Sequence, residues 1–334
     1  MKKKLDYRGR ISLEVTDLLS EVRKIMEVII AHAAGTCFGV QAAINVAEEK
    51  RKPILGPLVH NPKIVGDLAR EGIPIYDRYS DIAGLKEEGL TDVVITAHGY
   101  PKELKEELTK HGITYHDATC PVLLKWVYKK IETFDHQGAD IVIIGNPEHA
   151  EIIASRTYAS KPLHAVYTEA QIDALPNDLQ NVVVICQTTI TKEKFDSLVE
   201  YLRRTKYPNL KAVDTRCKPV KNQQGAVESL AQWVDAMLIV GGYDSSNTTN
   251  LAKISQQYLP EKTYHIDSPD LIKAEWFENV EHLGLGAGTS TPQSQIQDVL
   301  QRIVELSPTS VELRQTTKEG DVVGMDVAVE TETM

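Results

Sequence analysis

This sequence lacks the features that are typical of membrane proteins, secreted proteins, nucleic-acid binders and flavin or nicotinamide enzymes. No apolar run is long enough to cross a membrane, and no apolar signal core follows the basic start at Met1–Lys4. Basic residues are not in excess: the formal net charge is -10, whereas a general nucleic-acid binder needs a basic face. No flavin or nicotinamide fingerprint is visible. We therefore expect a cytoplasmic protein without membrane or nucleic-acid partners.

Cysteine is scarce, and the cysteines that are present do not form close pairs. They are Cys37, Cys120, Cys186 and Cys217. Without a secretion signal, so few cysteines favour a reducing compartment, in which cysteines stay free or bind metal. A local zinc knuckle uses close pairs, so this spacing does not form one. Cys186 ends a run that is apolar throughout, and we interpret it as a buried small hydrophobe.

The pattern of apolar residues predicts an α/β fold. With 334 residues, the chain is long enough for two or three domains. Short apolar runs alternate with segments of helical period, which favours parallel βαβ units. Similar numbers of predicted strands in each third indicate three small α/β units with parallel-type sheets. The predicted boundaries are a helical extension over 1–26, a first unit over 38–120, a second over 121–213, a third combining 27–37 with 214–310, and a tail over 311–334.

Three of the cysteines follow predicted strands at similar intervals along the chain. Cys37, Cys120 and Cys217 can meet only if the fold brings three similar units to one point. Three thiolates at one point would hold a soft metal or an iron–sulfur cluster with one metal position left open. A structural zinc site that uses the three cysteines and one histidine is an alternative.

Polar residues follow other predicted strands, and ligands of open parallel sheets bind beyond the carboxyl ends of the strands. His60, His98 and His149 each occupy such a position. Any one of them alone is better explained as a surface residue, but three together predict a shared site. The loops that contain Ser245–Asn247 and Ser290 precede helices, where capping is the simpler explanation. Combined with the histidines, they predict a site for a phosphate or diphosphate.

Glu151 stands two residues after His149 and is a candidate proton donor. Beside an anionic ligand, the pKa of a carboxyl group rises because a second negative charge is disfavoured. Such a group can donate protons at neutral pH. The alternative is a solvated glutamate at a helix start, which suits the neighbouring Glu148 better.

With these residues identified, the chain resembles the LytB family of 4-hydroxy-3-methylbut-2-enyl diphosphate reductases from about Glu27 to Leu306. The motifs that carry the resemblance are Gly35-x-Cys37-x-Gly39-Val40, Val59-His60-Asn61, Ala97-His98-Gly99, Asp117-Ala118-Thr119-Cys120-Pro121, His149-x-Glu151, Gln187-Thr188-Thr189, Ser245-Ser246-Asn247 and Ala287-Gly288-x-Ser290-x-Pro292. The resemblance implies three α/β domains arranged pseudo-threefold around a central cleft.

The resemblance also implies roles for individual residues. Cys37, Cys120 and Cys217 would hold a [4Fe–4S] cluster, which becomes [3Fe–4S] if the iron without a protein ligand is lost. Glu151, with Thr188, would deliver protons near the substrate hydroxyl. The residues that would bind the diphosphate are His60, His98, His149, Ser245, Ser246, Asn247 and Ser290, with Thr188 also lining the substrate site. Electrons would come from a donor such as ferredoxin or flavodoxin.

The resemblance implies reduction of an allylic hydroxyl with two electrons and two protons, giving isopentenyl and dimethylallyl diphosphate in the non-mevalonate pathway. The sequence departs from the family pattern at Thr36, Phe38, Ala150 and the run Lys218–Gln223. Two alternatives therefore stay open. One is a paralogous iron–sulfur reductase with a different substrate, and the other is a cluster-bearing redox sensor without turnover.

Overall fold

A computed structural model describes residues 25–325 of the chain. The predicted helical extension over 1–26 lies outside the described residues, except that Ile25 and Met26 begin the first strand. Within the described part, no helix is long and apolar enough to span a membrane.

The predicted α/β class, built from small units with parallel strands, is confirmed. Over residues 25–325 the strands form three sheets, one of six strands and two of four. Pairing within the two smaller sheets is entirely parallel.

The first unit contains a sheet with the strand order β3-β2-β4-β5. Its strands are β2 (Ile54–Leu55), β3 (Ile75–Tyr76), β4 (Asp92–Ile95) and β5 (Thr114–Asp117). Its helices are α1 (Phe38–Lys50), α2 (Pro62–Arg70), α3 (Ile82–Glu87) and α4 (Lys102–Lys110).

The second unit repeats this arrangement with the strand order β7-β6-β8-β9. Its strands are β6 (Ile141–Ile144), β7 (His164–Val166), β8 (Val183–Cys186) and β9 (Lys211–Ala212). A π-helical turn (Leu123–Val127) leads into α5 (Tyr128–His136), and the other helices are α6 (Ala150–Arg156), α7 (Glu169–Asp173) and α8 (Lys192–Thr205).

The third unit has the strand order β11-β10-β12-β1-β13-β14. Its strands are β1 (Ile25–Ile30), β10 (Ala236–Val240), β11 (Thr263–Ile266), β12 (His282–Ala287), β13 (Ser310–Thr316) and β14 (Val322–Gly324). Its helices are α9 (Lys218–Ala231), α10 (Ser246–Gln256) and α11 (Gln293–Leu306), and two 3-10 turns cover Pro269–Leu271 and Ala274–Phe277.

Two boundaries differ from those expected. The boundary after 310 would separate the tail from the third unit, yet β13 pairs in parallel with β1 and β14 pairs with β13. The spacing of apolar residues predicts a helix over Gln223–Val234, whereas the helix in the structure begins at Lys218, directly after Cys217. Pro219 lies in its first turn, where a missing N–H group costs no helical hydrogen bond.

The central strands are buried on both faces, because helices cover both sides of each sheet. In β6, Val142 and Ile144 pack into one apolar cluster, while Ile141 and Ile143 pack into another. This packing holds each strand rigidly and leaves the loops beyond the strand ends free to carry polar side chains.

Candidate active site at the junction of the three units

One cavity of about 100 Å³ collects strand-end residues from all three units. Every site residue expected from the sequence lines it: Cys37, Cys120, Cys217, His60, His98, His149, Glu151, Thr188, Ser245, Ser246, Asn247 and Ser290. Residues distant in sequence are therefore neighbours in the fold.

The three cysteines occupy equivalent junctions in the three units. Each cysteine N–H group donates to a carbonyl beyond the end of a neighbouring strand, and each cysteine carbonyl accepts from the first helical turn that follows. The first set of bonds is Cys37 to Thr289 at 3.0 Å, Cys120 to Ala97 at 2.9 Å and Cys217 to Thr188 at 3.1 Å. The second set runs to Cys37 from Gln41 at 2.9 Å, to Cys120 from Leu124 at 3.2 Å and to Cys217 from Lys221 at 3.1 Å.

Burial raises the pKa of all three thiols. It raises the pKa of Cys217 to about 12, and the neighbouring Cys37, Glu151 and Cys120 add to the shift. Backbone N–H groups at the helix starts act in the opposite direction, such as those of Val40 and Gly39 on the pKa of Cys37. The metal-free protein therefore keeps its thiols protonated, and a cation is needed to turn them into thiolates.

Gly39 keeps the space between two of the sulfurs open. A β-carbon on Gly39 would collide with Cys120 Sγ and would also contact Cys37 Sγ. A glycine is needed here for close approach. Across residues 25–325, no group of three or more His, Cys, Asp or Glu side chains is arranged to hold a metal ion, so the structural zinc arrangement considered above is not seen there.

The three histidines form a compact cluster. The ring centroids of His60 and His98 lie 4.1 Å apart, and that of His149 lies 5.7 Å from His60 and 5.9 Å from His98. His149 caps α6, and its Nδ1 atom accepts from Glu151 N–H at 3.2 Å. That bond places the imidazole proton on Nε2, which can donate to an anion.

Burial is the main cause that lowers the pKa of each histidine in the cluster. It lowers the pKa of His149 to about 4, helped by the charges of His60 and Arg78. The pKa of His98 falls well below its usual range. The ligand-free cluster is therefore neutral at pH 7, and a bound anion would raise these pKa values.

Arg78 is a buried cation beside this cluster that sequence reasoning missed. Its guanidinium donates to Gly99 O at 3.0 Å and Thr96 Oγ1 at 2.7 Å, so it clamps the turn that carries His98. Arg78 is 9% exposed, and no carboxylate in residues 25–325 forms an ion pair with it. Burial lowers its pKa. Its neighbour Tyr79 is exposed, and nothing in the local sequence pattern marks Arg78 as buried.

Glu151 is enclosed and is held by Thr188. The Thr188 N–H group donates to Glu151 Oε1 and the Thr188 hydroxyl to Glu151 Oε2, both at 2.7 Å. Burial raises the pKa of Glu151 to about 7, although both Thr188 bonds favour the carboxylate. A large fraction of Glu151 is therefore protonated at neutral pH.

The hydroxyl-rich side of the cavity is tied together between units. Ser246 Oγ accepts from Gln187 Nε2 at 3.3 Å and from Thr189 Oγ1 at 3.0 Å. Ser290 Oγ donates to His60 O at 3.3 Å. Ser245 caps α10 by accepting from Thr248 N–H. The capping explanation for Ser245 and the cavity lining are therefore both correct.

Cys186 lies outside the cavity. Its side chain is fully buried in β8 and packs in an apolar cluster of the second unit. Burial raises the pKa of its thiol to about 11. The interpretation of Cys186 as a buried small hydrophobe agrees with this position.

Comparison with known proteins gives one consistent result. A family model described as LytB protein matches residues 28–304. A 4-hydroxy-3-methylbut-2-enyl diphosphate reductase of Alkaliphilus oremlandii is 35% identical over 288 residues, covering 84% of this chain and 100% of that protein. The protein of the same name from Aquifex aeolicus is 34% identical over 292 residues, covering 84% and 97%.

Solved structures agree with the sequence comparison. One described as (E)-4-hydroxy-3-methyl-but-2-enyl diphosphate reductase, the terminal enzyme of the non-mevalonate pathway, is 32% identical with a TM-score of 0.60, covering 84% of this chain and 100% of that one. The E-1-hydroxy-2-methyl-but-2-enyl-4-diphosphate reductase from Plasmodium falciparum has a TM-score of 0.78 at 22% identity, covering 88% and 93%. At that identity the second structure supports the fold alone.

Proposed function

This chain belongs to the LytB protein family and is an enzyme of its reductase type, and from that premise we propose that it reduces 4-hydroxy-3-methylbut-2-enyl diphosphate. The reaction removes the allylic hydroxyl as water, consumes two electrons and two protons, and gives isopentenyl and dimethylallyl diphosphate. The observation that carries the proposal is the convergence of three thiols, three imidazoles and the Glu151–Thr188 pair on one cavity.

The donor set fits an iron–sulfur cluster. Three partly buried cysteines supply thiolates, helix N-termini face them, and Gly39 leaves room between two sulfurs. A four-iron cluster is larger than one ion, so its ligand sulfurs lie farther apart than the ligands of a single metal. We assign Cys37, Cys120 and Cys217 as its ligands, which leaves one iron without a protein ligand. When bound, such a cluster supplies electrons and a Lewis acid for the hydroxyl oxygen.

The side chains around the cavity divide the remaining work. His60, His98 and His149 donate hydrogen bonds to the diphosphate, together with Ser245, Ser246, Asn247 and Ser290 lining the same cavity. These contacts hold the reacting carbon in place, using binding energy from the unreactive end of the substrate.

Glu151 protonates the departing hydroxyl oxygen. An allylic hydroxyl is a poor leaving group, and a positioned carboxylic acid lets it depart as water. The pKa of about 7 keeps the proton available, and Thr188 fixes both carboxyl oxygens. The electrons come from an external donor such as a ferredoxin or flavodoxin.

The decisive experiment is an anaerobic assay of the purified protein with dithionite-reduced viologen and 4-hydroxy-3-methylbut-2-enyl diphosphate. We expect substrate-dependent viologen oxidation and two isomeric diphosphate products, one allylic and one homoallylic, which chromatography separates and mass spectrometry identifies. Tight binding without turnover would support the redox-sensor alternative. Absence of binding would instead support a paralogous reductase with another substrate.

A further inference from the structure

Acidic residues are absent from the sequence around each cysteine of the cavity, although the chain as a whole is acidic. The segments 28–47, 118–131 and 215–227 each contain one of these cysteines. Together they contain six basic residues and no Asp or Glu, in a chain with 47 acidic and 37 basic residues. The parts of the chain next to the proposed cluster therefore carry a positive charge that the rest of the chain does not.

Three of these basic residues are exposed and not neutralised. Arg216 and Lys221 both lie 2.9 Å from the carboxylate of one aspartate, which balances part of their charge. By contrast, Lys125, Lys129 and Lys218 are exposed, and within residues 25–325 no carboxylate lies at ion-pair distance from any of them. The charges of these three lysines are available to a partner.

The exposed lysines belong to helical segments that begin directly after cysteines. Lys218 is the first residue of α9 and follows Cys217. Lys125 lies in the π-helical turn, five residues after Cys120, which corresponds to about 8 Å along the helix axis. Lys129 follows about one turn later on the same side of the helix. The three lysines therefore surround the point at which the cysteines meet.

An exposed aromatic ring lies on the same surface. Phe38 is the first residue of α1, and its side chain is 57% exposed. The next residue, Gly39, packs so closely against Cys120 Sγ that a β-carbon on it would collide with the sulfur. Phe38 is therefore close to the start of the helix that follows Cys120. We call this surface the basic face, and its residues are Phe38, Lys125, Lys129 and Lys218.

The charge of the basic face and the proposed chemistry of the cavity indicate the same kind of partner. The reaction consumes electrons from an external donor, which must bring its redox group close to the cluster. Interfaces of electron-transfer proteins are small, and complementary charge steers the two proteins into contact. We propose that the basic face is the docking surface for a small acidic flavin or iron–sulfur protein that carries one electron at a time.

This inference rests on the proposed function and adds the place at which the electrons enter. Each docked carrier is oxidised by one electron, and two such events supply the two electrons of one turnover. Of the two protons consumed, one enters the hydrocarbon product and the other enters the departing water. Phe38 and Lys218 are also positions at which the sequence departs from the family pattern, which fits a surface matched to this chain's own partner.

The test compares two electron donors in the assay with 4-hydroxy-3-methylbut-2-enyl diphosphate: a reduced flavodoxin of net negative charge and a reduced viologen. The variant combines Lys125→Glu with Lys129→Glu. The matched control combines Lys110→Glu with Lys262→Glu and changes the net charge by the same amount. Lys110 and Lys262 are exposed and precede β5 and β11, so they lie at the strand ends opposite the cavity.

We expect the variant on the basic face to lower kcat/KM for flavodoxin by roughly tenfold to a hundredfold at low ionic strength, because electrostatic steering is lost. Added salt should slow the wild type with flavodoxin and should remove most of the difference between the two proteins. The viologen rate should not fall, since viologen is itself a cation. The control should keep both rates.

Binding of oxidised flavodoxin gives a readout that does not depend on turnover. Calorimetry without substrate or reductant, on protein of measured iron content, should show a weaker affinity for the variant and an unchanged one for the control. Phe38→Ala should also weaken flavodoxin binding, but without changing its salt dependence, because the ring contributes apolar contact rather than charge.

Equal losses in the two double variants, a viologen rate that falls together with the flavodoxin rate, a wild-type affinity that does not respond to salt, or no binding of flavodoxin would overturn the proposal. Absence of viologen-driven turnover in the wild type would refute only the proposed reaction, since the comparison of flavodoxin affinities does not require turnover.

Discussion

The cavity has a thiol side, formed by Cys37, Cys120 and Cys217, and a polar side, formed by the histidine cluster, Glu151, Thr188 and the loops with Ser245–Asn247 and Ser290. The two sides are held in place by different kinds of contact. On the thiol side, each cysteine repeats one local arrangement: its N–H group bonds beyond a strand end and its carbonyl bonds to the following helical turn. On the polar side, some bonds stay within one unit, as from Thr188 to Glu151, and others run between units, as from Ser290 to His60 O and from Gln187 to Ser246.

This difference has consequences for substitution. A cluster has few ligands, so loss of one thiol removes a large share of its binding energy. On the polar side, many neutral donors share the binding of the ligand, so removal of one donor lowers the affinity only in part. The thiol side should therefore respond in an all-or-none manner and the polar side gradually.

Cys120→Ser should have the largest effect, because it removes one of three proposed cluster ligands. We expect iron per chain, measured after anaerobic purification, to fall from about four toward zero, with loss of the brown colour. Cys186→Ala is the control and should retain full iron content, since Cys186 is buried in an apolar cluster. Equal iron in Cys120→Ser and the wild type would remove Cys120 from the ligand set.

Glu151→Gln should keep the iron and lose turnover. The amide retains the shape of the side chain but cannot deliver the proton, which predicts a loss in kcat of about a hundredfold to ten-thousandfold. The measurement is viologen oxidation, normalised to iron content. Glu148→Gln, three residues earlier in the chain and exposed, should be near wild type. A Glu151→Gln variant that turns over at the normal rate would show that another group donates the proton.

Gly39→Ala tests whether cluster assembly needs the open space that Gly39 leaves beside the sulfur atoms of Cys37 and Cys120. The added methyl group would collide with Cys120 Sγ, so we expect incomplete cluster assembly and faster iron loss in air. Gly225→Ala in α9 is the control, because its β-carbon meets no atom within 4 Å. That control should be stabilised by up to about 1 kcal/mol in thermal or denaturant unfolding. Full iron retention in Gly39→Ala would mean that the sulfurs lie elsewhere when the cluster is bound.

The pH dependence of kcat/KM reports on Glu151 in the free enzyme. Its pKa is raised to about 7 and the protonated form is the active one, so activity should be lost as pH rises through about 7. The decline should reach about tenfold per pH unit at higher pH. Thr188→Val removes a hydroxyl bond that favours the carboxylate, so the decline should move to higher pH. A rate that stays flat to pH 9 would contradict Glu151 as the acid.

The same contrast explains what the sequence could predict. The alternation of strands and helices is a local pattern, so the sequence predicts the α/β class. Ligands of parallel sheets bind beyond the strand ends, and this rule predicts which residues of the three units line the site although the sequence contains no distances. The sequence does not predict that α9 begins at Lys218. A proline such as Pro219 fits a helix only in its first turn, and the position of that turn is known only from the structure.

Arg78 and Gln223 were not predicted because their hydrogen-bond partners are distant along the chain. Gln223 bonds to carbonyls 188 and 190 positions earlier in the chain. Arg78 bonds to a carbonyl and a hydroxyl in the turn that carries His98. Gln223 lies inside a helix, and Arg78 lies two residues beyond the end of β3 but belongs to no chemical motif, so only the folded arrangement reveals what they contact.

Arg78→Gln should have the smallest effect, on the affinity for inorganic diphosphate measured by calorimetry. Arg78 is a buried cation without an acidic partner among residues 25–325, so a bound anion gains from its charge. A unit charge acting through an effective dielectric constant of about 20 contributes on the order of 1–2 kcal/mol at about 10 Å, which corresponds to roughly tenfold in affinity. Arg70→Gln, at an exposed position in α2, should leave this affinity unchanged.

Arg78→Lys separates the charge of Arg78 from its clamp on the turn. Lysine keeps a cation but loses the planar fork that donates to Gly99 O and Thr96 Oγ1. If charge is what matters, Arg78→Lys binds diphosphate nearly as well as the wild type while its unfolding temperature falls. If Arg78→Lys and Arg78→Gln weaken binding equally, Arg78 acts by holding His98 in place. The gradual response of the polar side would then come from geometry rather than from electrostatic attraction.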